Sequence, residues 1–415
     1  MCTTWCRAAA RSNAIRPFDG SRILLGITGG IASYKSAWLA RLLTKAGADV
    51  DTVMTPAALE FVGAITLEAL TGRPVHTGLF DAGRALDHIK LARAARAMVI
   101  APATADFMAR AAAGQANDLL TACLLAASCP VLIVPAMNDH MWAHPQVQRN
   151  VAHLRGLGYR VLDPEEGLLA AGEGHGPGRM PEPESIFAHI GRLCEPSGTL
   201  AGTRVLVTAG PTRETLDPVR FISNHSSGKM GVAIAAAAWR RGADVDLVAG
   251  PISVAPPVGV AVHPVESTEQ MAAAVERLLP QSDVLVMAAA PADFRPAMPA
   301  SSKIKKSNTP PDVPLAPTPD ILLTTRGARR PGAVIVGFAL ETDDPVASGR
   351  AKRAAKDLDL IVVNDATESG AGFGVDTNRV TLVARDGTEA SLPLMPKTEV
   401  ADAILDRVET LIGGR

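Results

Sequence analysis

Aromatic residues are scarce in this 415-residue chain: nine Phe, four Trp and two Tyr make up 4% of it, although 47% is hydrophobic. That balance disfavours an aromatic-rich all-β fold and suits tightly packed α/β layers. Charge of one sign is missing too. The 41 Lys and Arg stand against 42 Asp and Glu, leaving a net charge of −1, so no global field recruits nucleic acid or an acidic membrane. Cysteine is sparse: Cys2, Cys6, Cys123, Cys129 and Cys194 form no C-x-x-C pair and no zinc spacing, and their scatter fits a reducing cytosol. No apolar run reaches the roughly 18–20 residues that a membrane span needs. Residues 1–19 contain Arg7, Arg11 and Arg16 but no apolar stretch of the secretory kind, and read as a disordered leader or an over-long start. The expectation is a cytoplasmic protein. No G-x-G-x-x-G run occurs, which counts against a nicotinamide oxidoreductase.

What the sequence does contain is one plan used twice. "RILLGIT", a Gly-rich turn "GGIAS", the helical "YKSAWLARLLTKAG" and "ADVDTVMTP" make a βαβ unit from Arg22. From Arg204 come "RVLVTAG", a long loop, the helical "GKMGVAIAAAAWRRG" and "ADVDLVAGP". "GADVDTVMTP" at 47–56 nearly repeats in "GADVDLVAGP" at 242–251, as does "MVIAPATADF" at 98–107 in "LVMAAAPADF" at 285–294. The likeness is either inherited or a shared packing solution; both support a two-domain division. Continuous apolar strands alternating with helices predict two doubly wound Rossmann-like α/β domains. The expected boundaries are a leader at 1–19, a first domain at 20–193, a linker at 194–202 in "CEPSGTLAG", and a second domain at 203–415.

Ligands of such sheets sit beyond the carboxyl ends of the strands. After the first strand, Gly29, Gly30 and Ser33 open a helix, as either a tight turn or an anion cradle. Thr55, Ala101, Pro102, Ala103 and Thr104 add small residues and hydroxyls at the same edge, suiting a flat ring with polar margins. His88 opens a helical pattern nearby and alone reads as a surface imidazole. Asn138 lies on the same rim. In the second half, "TAGPTRETLDPVRFISNHSSGKMG" spans 208–231 without apolar pattern until its helix, a length that is usually functional. Asn224 to Gly228 precede a helix, as a phosphate site or an ordinary cap. "SSKIKKSNTPP" carries Lys303, and reads as solvated surface or as a loop closing over a triphosphate. Lys352 and Lys356 stand four apart on a helical pattern.

"GITGGIASYK", "DHIKLA", "APATADFMARAAAGQANDLL" and "PAMN" together resemble the flavin-dependent cysteine decarboxylases, the family of the phosphopantothenoylcysteine and lantibiotic-processing enzymes. The resemblance implies a flavodoxin-like flavoprotein domain with FMN phosphate at Gly29–Ser33 and the ring near Thr55 and Ala101–Thr104. His88 would deprotonate or orient the substrate, and Asn138 would bind its carboxylate side. It implies oxidation of the substrate thiol by FMN to a thioaldehyde able to accept the electrons left by carbon dioxide, then reduction and protonation of the enethiolate. It also implies FMN bound between subunits of a trimer.

"TAGPTRE", "LDPVRFISNHSSGKMG", "ADF", "KIKK", "PTPDIL", "GFALET" and "DLIVVND" resemble the phosphopantothenate–cysteine ligases over nearly all of 203–410. In bacteria such a ligase commonly follows the decarboxylase in one chain, the order of the bifunctional coenzyme A biosynthesis family. The implied reaction activates 4′-phosphopantothenate with CTP and Mg²⁺ as an acyl-cytidylate, which cysteine then attacks. Asp293, Lys303, Thr318, Pro319, Asp320, Ile321, Phe338, Lys352 and Lys356 would contact CTP. Asn224 would hold the acyl-cytidylate. The metal ligands are not readable, and dimeric ligase domains are implied.

"GLLAAGEGHGPGRMPEPE" at 167–184 fits the decarboxylases' substrate flap, with Ala171, Gly172, Arg179 and Met180 in it and the last two near its tip. The family pattern usually begins Ala-Cys-Gly, and that cysteine is the expected proton donor; Ala171 cannot donate. Three readings stay open: His175 donates, with an ordinary pKa of about 6.5; water or another group does; or the first half stops at the oxidised enethiol. A non-catalytic flavin-binding regulatory module is the further rival.

Overall fold

A computed structural model describes residues 18–80, 84–169, 172, 174–195, 199–305, 312–341, 344–365, 372 and 374–414. Ala171 lies outside them, as do residues 1–17. The chain divides into two compact units, residues 1–195 and 196–415.

The first unit is built on a six-stranded parallel sheet: β1 (Arg22–Ile27), β2 (Asp49–Met54), β3 (Val75–His76), β4 (Ala97–Ala103), β5 (Val131–Pro135) and β6 (Arg160–Val161), in the order β3-β2-β1-β4-β5-β6. Burial on both faces explains the uninterrupted apolar runs: every residue of β4 and β5 is buried. Two apolar clusters cover the faces, one with Leu39 and Ile190, the other with Phe107 and Leu154. The layers are those of a flavodoxin-like domain, while the strand order is that of the doubly wound dinucleotide folds. A hairpin, β7 (Glu165–Leu168) and β8 (His175–Arg179), follows the sheet.

Two residues assigned by sequence to the leader and the linker belong to this core. Phe18 is fully buried and meets Phe187 edge-to-face, with centroids 4.9 Å apart. Cys194 closes the helix Pro183–Cys194 and is buried. On that helix His189 is pushed from 6.5 down to about 4 by burial first, then by the charges of Arg160 and Arg192. The folded state therefore keeps this imidazole neutral where the unfolded chain protonates it. Between pH 6.5 and 4 the unfolded state binds more protons, so stability falls as pH falls through that window. His189→Gln is expected to flatten this part of the Tm–pH curve; an unchanged slope would contradict the assignment.

The second unit repeats the plan. Its sheet contains β9 (Arg204–Ala209), β12 (Asp244–Ala249), β13 (Ala261–Pro264), β14 (Val284–Met287), β17 (Val334–Glu341), β18 (Leu360–Asp365), β20 (Val380–Ala384) and β21 (Glu389–Ser391). The order is β13-β12-β9-β14-β17-β18-β20-β21, parallel up to β18 and antiparallel beyond. The first six strands thus reproduce the order of the first sheet. The near-repeated sequence segments fall on equivalent strands, β2 with β12 and β4 with β14. Short hairpins β10 (Arg213–Asp217) with β11 (Arg220–Ser223) and β15 (Phe294–Pro296) with β16 (Leu315–Pro317) flank the sheet, and β19 (Thr377–Asn378) precedes β20.

Two candidate active sites

The chain order reverses between β1 and β4, and an opening of the first unit lies beyond their carboxyl ends, as this topology dictates. It is a cavity of about 390 Å³ lined by Gly29, Gly30, Thr104, Asn138, Lys35 and Arg179 among others. Thr104 caps the helix Ala105–Ala112 through Phe107 N–H, and Asn138 caps Asp139–Ala143 through His140 N–H at 2.9 Å. The helix Ser33–Lys45 begins at the cavity with no side-chain cap and no acidic residue in its first turn. Its positive end therefore lacks a capping side chain, and the Lys35 and Arg179 cations beside it share one carboxylate, Glu182.

Other residues expected at this site are placed differently. The Ser33 hydroxyl is fully buried and donates to the carbonyls of Thr28 (2.9 Å) and Gly30 (2.6 Å), closing the turn rather than facing the cavity. Thr55 caps the short helix Pro56–Leu59, and Ala101 and Ala103 are fully buried in β4. The carbonyls of Ala101 and Pro102 accept from Ser36 and Thr28. None of Ser33, Thr55, Ala101, Pro102 and Ala103 lines the cavity. Gly29 is needed for packing: a Cβ there would meet Ala57 at 2.4 Å.

The flap is the β7–β8 hairpin, in which Leu168 pairs with His175 at the end away from Arg179. Arg179 and Met180 are therefore at its base, not its tip: Arg179 ends β8 and pairs with Glu182, and Met180 is buried. The glycines explain how the hairpin seats. A Cβ on Gly178 would stand 2.2 Å from the Met137 carbonyl, and one on Gly176 2.9 Å from Asp139 Oδ2, so both lie flat on the "PAMN" turn. Gly178→Ala is expected to unseat the hairpin at roughly 1–3 kcal/mol, the usual cost of overpacking. The readout is a lowered Tm with faster proteolysis at 165–179; no change in either would contradict the contact. His175 is 59% exposed, 3.8 Å from Glu166, and does not line the cavity.

His88 is on the helix Asp87–Ala94, in a separate opening of about 640 Å³ with Leu79, Phe80 and Leu125. Its Nδ1 is buried and has no hydrogen-bond partner among the described residues. A single protomer thus does not bring His88 to Asn138.

In the second unit the corresponding strand ends are β9 and β14, and a cavity of about 500 Å³ opens there. Asn224, Asp293, Phe338 and Lys352 line it together, with Ser226–Lys229, Asn378 and Lys397. Its lining carries three lysines against one carboxylate, Asp293, so the opening attracts anions. Asn224 Nδ2 donates to the carbonyls of Ala290 (3.3 Å) and Pro291 (2.9 Å), tying the loop after β11 to the loop after β14. A buried polar cluster holds that second loop from behind. Thr212 accepts from Ala292 N–H at 2.9 Å, and Glu214 accepts from Thr268 N–H and hydroxyl at 2.8 and 2.9 Å.

Lys303, Thr318, Pro319, Asp320, Ile321 and Lys356 do not line this cavity. Lys303 is exposed. Thr318 donates to the Ala292 carbonyl at 2.5 Å, Ile321 is a buried core residue, and Lys356 pairs with Asp320 at 2.8 Å. The helix ends at Ala355, and Lys356 is its C-cap. Among the described residues no group of three or more His, Cys, Asp or Glu is placed to hold a metal ion, and no helix is long and apolar enough to cross a membrane.

Comparison with known proteins decides the family. A flavoprotein family model matches residues 12–194, and the DNA/pantothenate metabolism flavoprotein C-terminal domain matches 200–411. The coenzyme A biosynthesis bifunctional protein CoaBC of Mycobacterium tuberculosis is 48% identical over 408 residues, covering 95% of this chain and 97% of the relative. The CoaBC proteins of Vibrio cholerae (46% identical; 93% and 97% covered) and Bacillus subtilis (44%; 95% and 98%) agree. The chain belongs to the bifunctional coenzyme A biosynthesis family.

Like the rest of that family, it is a bifunctional enzyme of coenzyme A biosynthesis, with a flavoprotein decarboxylase domain and a ligase domain. The non-catalytic binding module is not favoured. Sequence reasoning missed Lys35, Lys229 and Lys397 in these bifunctional-family sites. Lys35 was quoted in "GITGGIASYK" but reads as an ordinary helix position; it is buried, with Nζ 2.9 Å from the Met180 carbonyl and 3.2 Å from Glu182 Oε1. No periodicity marks it, because the flap that buries it lies some 145 residues away along the chain.

Proposed function

We propose that the second unit joins 4′-phosphopantothenate to cysteine using CTP, and that the first unit then decarboxylates the product with FMN to 4′-phosphopantetheine. The observation that carries this reading is the pair of equivalent openings beyond β1/β4 and β9/β14. One opening has an uncapped helix end and two cations that share Glu182, the other three lysines against one carboxylate. A decarboxylase unit that includes Phe18 and Cys194 and a ligase unit that follows residue 195 go with it, as does a cytoplasmic location.

In the flavin unit, Gly30 and the uncapped start of Ser33–Lys45 would hold the FMN phosphate, and Lys35 and Arg179 offset its charge. The fit is supported by the missing cap and by an opening within the usual few-hundred-Å³ range for ligands. FMN would supply the two-electron oxidation and return of electrons that make the substrate's carboxylate a leaving group. Asn138, held by its own cap bond, presents its amide to the substrate carboxylate. His88, which lines the second opening, exchanges a proton with the substrate. A trimer would bring one protomer's His88 opening against another's Asn138 opening; the exposed Phe80 and Leu125 support a covered face there. With Ala171 in place of the family cysteine, the final proton would come from solvent or from His175, which water reaches freely.

In the ligase unit, Asp293, Phe338 and Lys352 would take CTP, with Mg²⁺ and Lys303 offsetting triphosphate charge. Lys356, Asp320 and the Thr318–Pro319 turn would support that wall, and Ile321 would anchor it in the core. The exposed Phe221 and Phe294 suit the dimer contact of the ligase domains.

The test is an absorbance spectrum of the purified full-length chain, then pyrophosphate release with CTP or ATP in the presence of 4′-phosphopantothenate and cysteine. Flavin bands and CTP-preferring release are expected. A colourless protein, or equal release with both nucleotides, would sink the corresponding half.

A further inference from the structure

Both short hairpins of the ligase unit are rooted at its cavity. β11 runs into Asn224, and β15 begins directly after Asp293. The connection from β15 to β16 carries Lys303, and at its neck Ala297 N–H donates to the Pro314 carbonyl at 2.9 Å. Beyond that neck the other hairpin fastens the chain. Ala300 N–H donates to the Leu216 carbonyl at 2.9 Å, and Ile304, the neighbour of Lys303, is held by Asp217 and Arg220.

Asp217 ends β10 and is only 1% exposed. Its Oδ1 accepts from Val219 N–H and Arg220 N–H, both at 2.9 Å, which closes the β10–β11 turn. Its Oδ2 accepts from Arg220 Nε at 2.9 Å and Nη2 at 2.5 Å, and from Ile304 N–H at 3.1 Å. Arg220 Nη2 also donates to the Ile304 carbonyl at 2.8 Å. One ion pair thus grips Ile304 by both its N–H and its carbonyl. The Arg220 guanidinium, with the three N–H groups, holds the Asp217 carboxyl well below its ordinary value, although burial acts against them. It is therefore ionised, and an acceptor only, at neutral pH.

A side chain that closes a turn on its own backbone needs a single acceptor, which a neutral asparagine also supplies. A buried carboxylate costs stability unless both oxygens are satisfied. The second oxygen here serves Arg220 and a segment 87 residues further along the chain. Lys303 is exposed, so its place is set by its backbone, and that backbone is fixed one residue away.

We propose that Asp217 is a positioning residue for nucleotide activation: with Arg220 it pins Ile304 to the hairpin that leads into Asn224, and so sets where Lys303 stands relative to the cavity. This deepens the reading of Lys303 as a lysine that offsets triphosphate charge, and rests on it. Asp217 acts through Lys303.

The experiment measures KM for CTP and for 4′-phosphopantothenate by pyrophosphate release from the full-length chain. Asp217→Asn keeps one acceptor for the turn but sets an amide NH2 against the Arg220 guanidinium and Ile304 N–H. It is expected to raise the CTP KM by roughly tenfold, as loss of a charged hydrogen bond does, and the 4′-phosphopantothenate KM by less than about twofold. Trypsin should cut after Lys303 and Lys305 faster than in the unmodified enzyme. The deciding comparison is the double variant with Lys303→Gln, whose CTP KM should match that of Lys303→Gln alone. Effects that multiply would overturn the proposal, as would an unchanged CTP KM, a parallel rise in both constants or unchanged cutting in Asp217→Asn. Tm is recorded for each variant. If Asp217→Asn does not fold, Arg220→Gln carries the same comparison, since that side chain is 44% exposed and its loss frees the Ile304 carbonyl. A Lys303→Gln enzyme with unchanged CTP kinetics would instead sink the reading of Lys303, so the two failures are distinct.

Discussion

Asn224→Asp is expected to lower amide formation by roughly 10²–10³-fold, the scale of losing one preorganised donor or acceptor at a reacting centre. Only an amide nitrogen can donate to two carbonyls at once, so the contacts with Ala290 and Pro291 fix the side chain's orientation. Its Oδ1 is then the atom left for the ligand, where it can accept from the attacking amine. A carboxylate in the same place would set an oxygen against two carbonyl oxygens and force the loops after β11 and β14 apart. Quench-flow with mass detection should show acyl-cytidylate and pyrophosphate still forming while the amide does not. Wild-type amide formation by the aspartate variant would contradict this role.

The second large effect belongs to the flavin unit. His88→Asn is expected to slow carbon dioxide release by roughly 10²–10⁴-fold, the usual contribution of positioned proton transfer. Flavin absorbance and Tm should stay as they were, because His88 lies in an opening separate from that of Gly30, Lys35 and Arg179. The same separation gives a sharper outcome. If catalysis needs His88 of one protomer and Asn138 of another, mixing His88→Asn with Asn138→Ala subunits should restore a measurable part of the activity that neither has alone. Mixtures as inactive as their components would place both residues' work within one protomer.

How much of this was legible in the sequence depends on whether a residue's task is local. The strands, both doubly wound sheets and the near-repeats were readable, because buried parallel strands leave continuous apolar runs and helices leave their own period. Strand-end placement pointed to Gly30, Thr104, Asn138 and Asn224, and the family resemblance added Asp293, Phe338 and Lys352; all seven line the two cavities. Strand-end placement failed for Ser33, whose hydroxyl turns inward to two carbonyls, and the resemblance for Ile321, whose apolar side chain goes to the core. Lys35 and Lys397 escaped for the opposite reason. Each is a helix-start lysine that looks solvated, and each is held by residues remote from the helix that carries it: Met180 and Glu182 for Lys35, Gly372 and Val375 for Lys397. The glycine-rich flap was recognised, but the reason for its glycines was not, since Gly176 answers to the Asp139 side chain and Gly178 to the backbone of Met137–Asp139, some 40 residues earlier.

One chain performing ligation and then complete decarboxylation is the central claim, and Ala171 is where it is most exposed, because the usual proton donor is missing there. Single-turnover mass spectrometry of the product made from 4′-phosphopantothenate, cysteine and CTP tests it most directly. The expected product is 4′-phosphopantetheine, with carbon dioxide and pyrophosphate released in equal amounts. A product lighter by a pair of hydrogens, the unreduced enethiol, would contradict complete decarboxylation. Accumulation of 4′-phosphopantothenoylcysteine without carbon dioxide would contradict the flavin half altogether.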